Sequence, residues 1–420
     1  MPPPGSPGWK RALAFFGPGL LIAVGYMDPG NWATDLAGGS RYGYLLLSVI
    51  LFSNALAMLL QHLALKLGIA SGHDLAQACR ANYSRPVSFV LWLLCEVAIA
   101  ACDLAEVIGS AIALNLLFGL PLFVGVLLTS ADVLLILLLQ QRGFRYLEAL
   151  VGGLIVLIGA CFAYEMVVSR PDWFGILSGM LPKTEVVTSP GALYLALGIL
   201  GATVMPHNLY LHSSVVQTRA YERDETGRAE AIRLATWDSC LALGVAFFIN
   251  AAILILSAAT FHTRGMHEVA EIQDAYRLLP ATLGAPLAGG IFALALLASG
   301  QNSTLTGTLA GQIVMEGFLD LRLRPWMRRM LTRLVAIVPA AVAAAWGGES
   351  ATGKLLIFSQ VVLSMQLSFA VIPLVIFTND RRQMGRFANG PIMKVAAWAT
   401  AGLIAALNVY FLWQVVSGKS

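Results

Sequence analysis

Apolar runs long enough to cross a lipid bilayer recur along this chain and leave it few folds to adopt. A span needs roughly 20 mostly apolar residues. Such runs lie near 15–39, 42–68, 86–117, 121–140, 146–168, 191–218, 237–260, 284–314, 331–347, 354–378 and 392–416. Only 12% of the residues are charged, against about 25% in ordinary soluble domains, too few to coat a soluble particle of this size. The expected fold class is all-α and polytopic, with 11 transmembrane helices in one transmembrane domain over residues 1–420. The connections are short, the most structured being expected at 171–190 and 261–283.

Lys and Arg orient the spans. With the N-terminus in the cytoplasm, 20 of the 27 fall in inside segments, including Lys10, Arg11, Arg142, Arg322 and Arg324. The other seven, Arg41, Arg170, Lys183, Arg264, Arg277, Lys354 and Lys419, fall outside. That bias follows the positive-inside rule and predicts a multi-pass protein of the plasma (inner) membrane with its C-terminus extracellular or periplasmic. No A-x-A-like site follows the first apolar run, so it reads as a retained span. Cys79, Cys95, Cys102, Cys161 and Cys240 have no metal-ligand spacing and read as small hydrophobes, not disulfides. Nucleic acid is not an expected partner, nor is an obligatory protein.

Two spans are broken at their middles. The first contains GYMDPGNWATD, residues 25–35, where Asp28, Pro29, Gly30 and Asn31 interrupt apolar sequence. Proline removes a helical donor and disfavours helical geometry at the residue before it. The sixth contains GILGATVMPHNLYLHS, residues 198–213, broken at Met205-Pro206-His207-Asn208. Pro29 and Pro206 are 177 residues apart, each in the first helix of a five-helix set. Five being odd, the second set runs through the membrane in the opposite sense. The chain thus reads as an inverted repeat, about 15–168 and 191–378, with an extra helix at 392–416. Interrupted helices at matching positions of two halves point to a transporter site at the bilayer midplane. Kinked helices alone would explain a proline, but not a mid-membrane carboxylate, which is costly unless paired or bound.

Unwinding frees backbone carbonyls, here those of Gly25 or Tyr26 and of Ala202 or Thr203. The side chains on offer are the Asp28 carboxylate, the Asn31 amide and the Met205 thioether. One negative charge among neutral oxygens suits a cation, and a thioether favours softer transition metals over Ca²⁺ or Mg²⁺. Met205 as ordinary packing is an equal reading. Span three places Glu96, Asp103 and Glu106 along one stripe, since residues three and seven apart share a helix face. They suggest a proton relay, with bracing of neighbouring helices the alternative, and Arg333 is placed to neutralise one of them. His207 adjoins the break as a proton carrier or gate, and His212 reads as a hydrogen-bonding partner. Asp35, one turn beyond Asn31, is expected either near the extracellular mouth or, the favoured reading, as a helix-end polar residue. His62, His73, His262 and His267 show no metal spacing and read as solvated or interfacial.

DPGN in span one, MPHNLYLHS in span six and GQIVMEGFLDLRLRPWMRRMLTR (311–333) resemble the Nramp family of proton-coupled divalent metal transporters, of the bacterial manganese-importing type. The resemblance covers essentially the whole chain. It implies a LeuT-type fold with unwound helices 1 and 6. It also implies Asp28, Asn31, Met205 and the Ala202 carbonyl as metal ligands, with the Gly25 carbonyl and Gln366 as state-dependent candidates. Asp28, Glu96, Asp103, Glu106, His207 and Arg333 become the proton pathway, and Pro29, Gly30, Pro206, Asn208 and His212 gating or supporting residues. Mn²⁺, with Fe²⁺, Co²⁺ or Cd²⁺, is then cargo carried with H⁺, and no resident cofactor is implied.

Three rival functions remain. A sodium-coupled symporter of a small organic substrate uses the same architecture, but the breaks offer it neither an aromatic cage nor an arginine clamp. An enzyme lacks support, for there is no nucleophile–base pair, H-E-x-x-H or phosphate-binding glycine loop. A channel is less compatible with two broken helices in an inverted repeat, which suggest alternating access.

Overall fold

The computed structural model describes residues 15–129, 144–269, 271–321 and 325–417, and every regular element among them is a helix. The polar lead 1–14, the second half of span 121–140, Arg142, Arg322, Arg324 and Lys419 lie outside the described residues. The first span comes in two pieces, α1 (Pro18–Gly25) and α2 (Pro29–Tyr42). Then follow α3 (Leu47–Ser71), α4 (Leu75–Asn82), α5 (Arg85–Phe118) and α6 (Phe144–Ser169). The second divided span is α7 (Pro190–Thr203) and α8 (Pro206–Val215). The remainder is α9 (Glu225–Thr260), α10 (Ile272–Leu283), α11 (Ala288–Leu319), α12 (Pro325–Val342), α13 (Gly348–Asn379) and α14 (Pro391–Val416).

Seven stretches among the described residues are long and apolar enough to cross a membrane. The other expected spans differ for identifiable reasons. The first is cut into helices of 8 and 14 residues. The fourth is only half described. Helix α11 is 32 residues long, but Ser299 to Thr304 lower its hydropathy. Thr332–Trp346 is apolar but short, and a π-helical turn at Ala343–Gly347 joins α12 to α13. Both connections expected to be structured contain helix: Trp173–Gly179 and Glu185–Thr188 in one, His262–Arg264 and α10 in the other. All five cysteines are free thiols, four of them buried.

Large apolar side chains remain exposed on the outer faces, among them Phe89, Val90, Leu93 and Val97 of α5, Val156 of α6 and Phe248 of α9. An apolar belt of that extent has no place in water and suits a bilayer. Inside, α5 packs along α11, α12 and α13, while α9 gathers α1, α2 and α3. Trp32 is fully buried between Phe162 of α6 and Phe292 of α11, with ring centroids at 4.9 and 5.1 Å, and so fixes α2 in the bundle. The start of α1 is tied to α9. Asp238 accepts from the Gly19 N–H at 2.7 Å and from the Gly17 N–H at 3.4 Å, a carboxylate at the positive end of a helix. Arg219 pairs with Glu148 of α6 and donates to the Phe16 carbonyl at 3.3 Å.

Close helix contact needs glycine at one crossing in particular. A Cβ on Gly201 would collide with the Gln360 carbonyl and stand 2.7 Å from the Ser364 nitrogen, both backbone atoms of α13. Gly201→Ala should therefore separate α7 from α13 and destabilise the protein by about 1–3 kcal/mol, the usual cost of overpacking. A thermal-stability series read by size-exclusion chromatography in detergent checks this. An unchanged melting midpoint would contradict the close packing.

Candidate functional site

Helical hydrogen bonding explains where each divided span opens. In an α-helix the carbonyl of residue i accepts from the N–H of residue i+4. Four residues after Gly25 stands Pro29, and four after Ala202 stands Pro206, neither of which has an N–H to give. At the end of α1 the Tyr26 and Met27 N–H groups turn back to Ala23 and Val24 at 3.1 Å, while the Val204 N–H closes α7 on Leu200 at 2.7 Å. Each helix then restarts at its proline, the position where the missing donor costs least. The helix ends that meet the gap present their carbonyls from α1 and α7 and their N–H groups from α2 and α8.

Asp28 is the N-cap of α2, extended at φ −68°, ψ 165°, and one carboxylate oxygen accepts from the Asn31 N–H at 2.8 Å. The other oxygen is buried without a hydrogen-bond partner among the described residues. Asn31 donates its amide nitrogen to the Tyr26 carbonyl at 2.7 Å, which leaves its Oδ1 as the unpartnered end. Asn250 of α9 donates to the same Tyr26 carbonyl at 2.7 Å. That carbonyl, one of two candidates in the first break, is thus occupied by two amides. The Met27 carbonyl accepts from Ser299 of α11 and, at 3.3 Å, from the Trp32 indole.

The two breaks face each other. A Cβ on Gly25 would lie 3.4 Å from the Met205 sulfur and would collide with the Asn208 amide. Met205 is fully buried against Ala98 and Cys102 of α5 and Leu363 of α13. Gln366, one helical turn beyond Leu363, shares that face of α13 and is 4% exposed, with neither end of its amide partnered among the described residues. Pro29 and Gly30 are wedged between helices: Pro29 fills the space of a Cβ on Gly109 of α5, and Gln360 of α13 covers Gly30. Asn208 is buried with both amide atoms unpartnered among the described residues, as is Nδ1 of His207. His212 donates from Nδ1 to Gln61 at 2.8 Å, and Gln61 donates to the Tyr26 hydroxyl at 2.7 Å. This chain joins α8 to the first break through α3.

From Met205 a polar line continues into α5. The Cys102 thiol donates to Glu106 at 3.6 Å, and Glu106 pairs with Arg333 of α12, also at 3.6 Å, with both side chains buried. Arg333 donates to the Thr129 carbonyl at 3.3 Å. Gly307 of α11 leaves room for the acids: a Cβ there would stand 3.1 Å from Glu106 Oε1 and 3.4 Å from Asp103 Oδ1. Glu96, nearer the start of α5, is half-buried and accepts from Trp92 at 3.2 Å, on the stretch of α5 that carries exposed Leu93 and Val97.

One sequence expectation needs correction. Asp35 is not at a helix end, because α2 runs on to Tyr42 and stops only at Gly43; Asp35 is buried in mid-helix with Oδ2 unpartnered among the described residues. His62 is half-buried within α3, with Nδ1 2.9 Å from the Thr236 hydroxyl. Four participants were missed: Tyr26 through its hydroxyl, Gln61, Asn250 and Ser299. Asn250, a lone amide in the apolar stretch of α9, was the one with a visible signal. Glu165, 0% exposed in α6 with neither oxygen partnered among the described residues, was also passed over. No group of three or more His, Cys, Asp or Glu that could hold a metal occurs among the described residues. The donors that the two breaks carry are one carboxylate, amide and carbonyl oxygens and a thioether.

Two discontinuous helices meeting at a buried carboxylate define a membrane transporter built on broken spans. The chain belongs to the Nramp family, since residues 19–414 match the family described as natural resistance-associated macrophage protein-like. It is 62% identical over 410 residues to the divalent metal cation transporter MntH of Bradyrhizobium diazoefficiens, covering 98% of this chain and 91% of that one. The MntH of Listeria innocua is 61% identical over 409 residues, with 97% and 91% covered. Among solved structures, the Eremococcus coleocola manganese transporter, in complex with an aromatic bis-isothiourea substituted compound, superposes with a TM-score of 0.90 at 44% identity, covering 99% of this chain and 88% of that one. Mhp1, a nucleobase-cation-symport-1 family transporter, superposes at 0.63 with 14% identity over 96% and 90% of the chains, a likeness of fold alone. The family is one of multi-pass transporters with a LeuT-like architecture, not of enzymes.

The Glu106–Arg333 pair makes a direct stability claim. Arg333→Met leaves Glu106 buried beside an apolar side chain, a change that typically costs about 3–5 kcal/mol. Adding Glu106→Gln removes the stranded charge and should restore part of that loss. If the single variant melts with the wild type, or the second change deepens the loss, the two residues do not act as a pair.

Proposed function

We propose that this chain imports divalent transition-metal ions, Mn²⁺ foremost, together with protons, by alternating access across the plasma membrane. The observation that carries the reading is the approach of Gly25 to Met205 and Asn208, which sets the two breaks around one space. The ion is held by the Asp28 carboxylate, Asn31 Oδ1, the Met205 sulfur and the Ala202 carbonyl. The Gly25 carbonyl and Gln366 join as the helices move. A hard ion such as Ca²⁺ gains little from the thioether, while Mn²⁺, Fe²⁺, Co²⁺ and Cd²⁺ accept the mixed set. The names of the MntH relatives and of the Eremococcus manganese transporter support this cargo. A sodium-coupled organic symporter is the less favoured reading: its support is fold likeness at 14% identity, and no arginine appears among the described contacts of Gly25, Met205 and Asn208.

Protons leave Asp28 when the metal binds and pass to Asp103 and Glu106, where Arg333 offsets the negative charge. His207 is a second carrier beside the site, and Glu96, on the same stripe of α5, is a further member of the relay or else a brace for that helix. Repeats at about 15–168 and 191–378 cross the membrane in opposite senses. The N-terminus is cytoplasmic, the C-terminus lies outside, and the helix at 392–416 is an addition to the paired repeats.

Uptake by proteoliposomes carrying an internal pH dye tests the assignments together. Asp28→Ala should abolish Mn²⁺ entry and its acidification. Glu106→Gln should retain Mn²⁺ binding while acidification falls. Met205→Ala should lose about tenfold in Cd²⁺ affinity, roughly 1.4 kcal/mol, and let excess Ca²⁺ compete with Mn²⁺. Near-normal Mn²⁺ uptake by Asp28→Ala would overturn the site. Equal loss for all ions in Met205→Ala, with Ca²⁺ still excluded, would remove sulfur from it.

A further inference from the structure

A second cluster of metal-ligating atoms lies at the far end of α2, roughly 14 Å along the helix axis from Asn31 at 1.5 Å per residue. Nδ1 of His262 stands 2.9 Å from the Ser40 carbonyl oxygen, and Nδ1 of His267 stands 3.4 Å from the same oxygen. The two Nδ1 atoms are 3.2 Å apart, with the rings edge to face. We propose that His262, His267 and the Ser40 carbonyl form a second binding site, separate from the space between the breaks, for a borderline transition dication such as Zn²⁺ or Co²⁺.

The geometry carries this. Ligands bound about 2.0–2.2 Å from an ion, as imidazole nitrogen and oxygen are to zinc, stand about 2.9–3.5 Å from one another in tetrahedral or octahedral arrangements. The three atoms make a triangle with sides of 2.9, 3.2 and 3.4 Å, which is one face of such a polyhedron. Without an ion, hydrogen bonds hold the same triangle: the Ser40 carbonyl accepts from an Nδ1–H, and the two Nδ1 atoms stand within hydrogen-bond distance of each other. With both Nδ1 atoms unprotonated, a cation would use all three lone pairs at once.

The backbone builds this face in advance. Gly265, at φ +75°, reverses the chain after α9, with its N–H bonded to the His262 carbonyl at 3.0 Å and the Met266 N–H to the Phe261 carbonyl at 3.1 Å. That left-handed turn, which glycine adopts without strain, brings His267 back onto His262. Ser40 donates from Oγ to the Met266 carbonyl at 3.0 Å, which ties the turn to α2. Gly43 leaves space for the His262 ring, since a Cβ there would stand 3.0 Å from Cδ2. His267 is exposed and His262 half-exposed, so water can enter and complete the coordination. Two imidazoles favour Zn²⁺, Co²⁺, Ni²⁺ and Cu²⁺, bind Mn²⁺ more weakly, and offer nothing to Mg²⁺ or Ca²⁺. Preference for ions therefore differs between this face and the space between the breaks.

Calorimetric titration of the purified full chain with Co²⁺, its purification tag removed, tests the site, together with the visible absorption of the bound ion. Wild type should take up two equivalents. His267→Ala, at an exposed position that leaves the His262–Ser40 hydrogen bond in place, should lose one equivalent and its part of the visible spectrum while Mn²⁺ uptake continues. His262→Ala should lose the same equivalent. Asp28→Ala should lose the other one, so failure of the transport site and failure of this one give different results. Retention of both equivalents by His267→Ala and His262→Ala, or a single equivalent in wild type that His267→Ala keeps, would overturn the proposal.

Discussion

A proline four residues beyond a helical carbonyl leaves that carbonyl without its donor, and the arrangement of this protein depends on that deficit occurring twice. Pro29 releases the Gly25 carbonyl and Pro206 releases the Ala202 carbonyl. In water such groups would be solvated and of little consequence. In a membrane bundle each unsatisfied group costs several kcal/mol, and side chains meet the carbonyls that follow Gly25 in the first break. Asn250 and Asn31 close on the Tyr26 carbonyl, and Ser299 and Trp32 on the Met27 carbonyl. What remains open after these bonds is a small set of oxygens and one sulfur.

Asp28 adds the one negative charge that the proposed cation site needs. Its first oxygen is held by the Asn31 N–H at the start of α2, where the helix dipole favours negative charge. Its second oxygen is buried with no such partner among the described residues, and the space between the breaks is the one that Gly25, Met205 and Asn208 bound. Beyond Met205, the acids of α5 are packed under Gly307, and Arg333 meets Glu106 from α12. In the proposed scheme metal and proton have adjoining places: one at the breaks between helices, the other within a single continuous helix.

Much of this was legible in the sequence because it is local. A carboxylate followed by proline inside an apolar run, the matching Met205-Pro206 break 177 residues later and three acids on one face of α5 are visible in short windows. What could not be read depends on packing between distant segments. Nothing in the stretch around Gln61 shows that it links His212 to the Tyr26 hydroxyl. The spacing that groups Glu96 with Asp103 and Glu106 says nothing of the neighbours that cover the latter two and leave Glu96 half-buried. Tyr26 and Gly25 were equal candidates by position, and only the amides of Asn31 and Asn250 distinguish them. Helix α11 was legible as a span by length, yet its polar middle serves the break and lowers the hydropathy by which spans are recognised.

The central claim is that sulfur from one break and carboxylate from the other hold the same ion. X-ray absorption at the Cd²⁺ edge on the purified protein, loaded with one equivalent of Cd²⁺ in a His262→Ala, His267→Ala background, measures this directly. The account predicts a mixed shell of oxygen with one sulfur scatterer, the sulfur absent in Met205→Ala and binding lost in Asp28→Ala. A shell of oxygen and nitrogen alone in the Met205 protein, unchanged by its replacement, would contradict it.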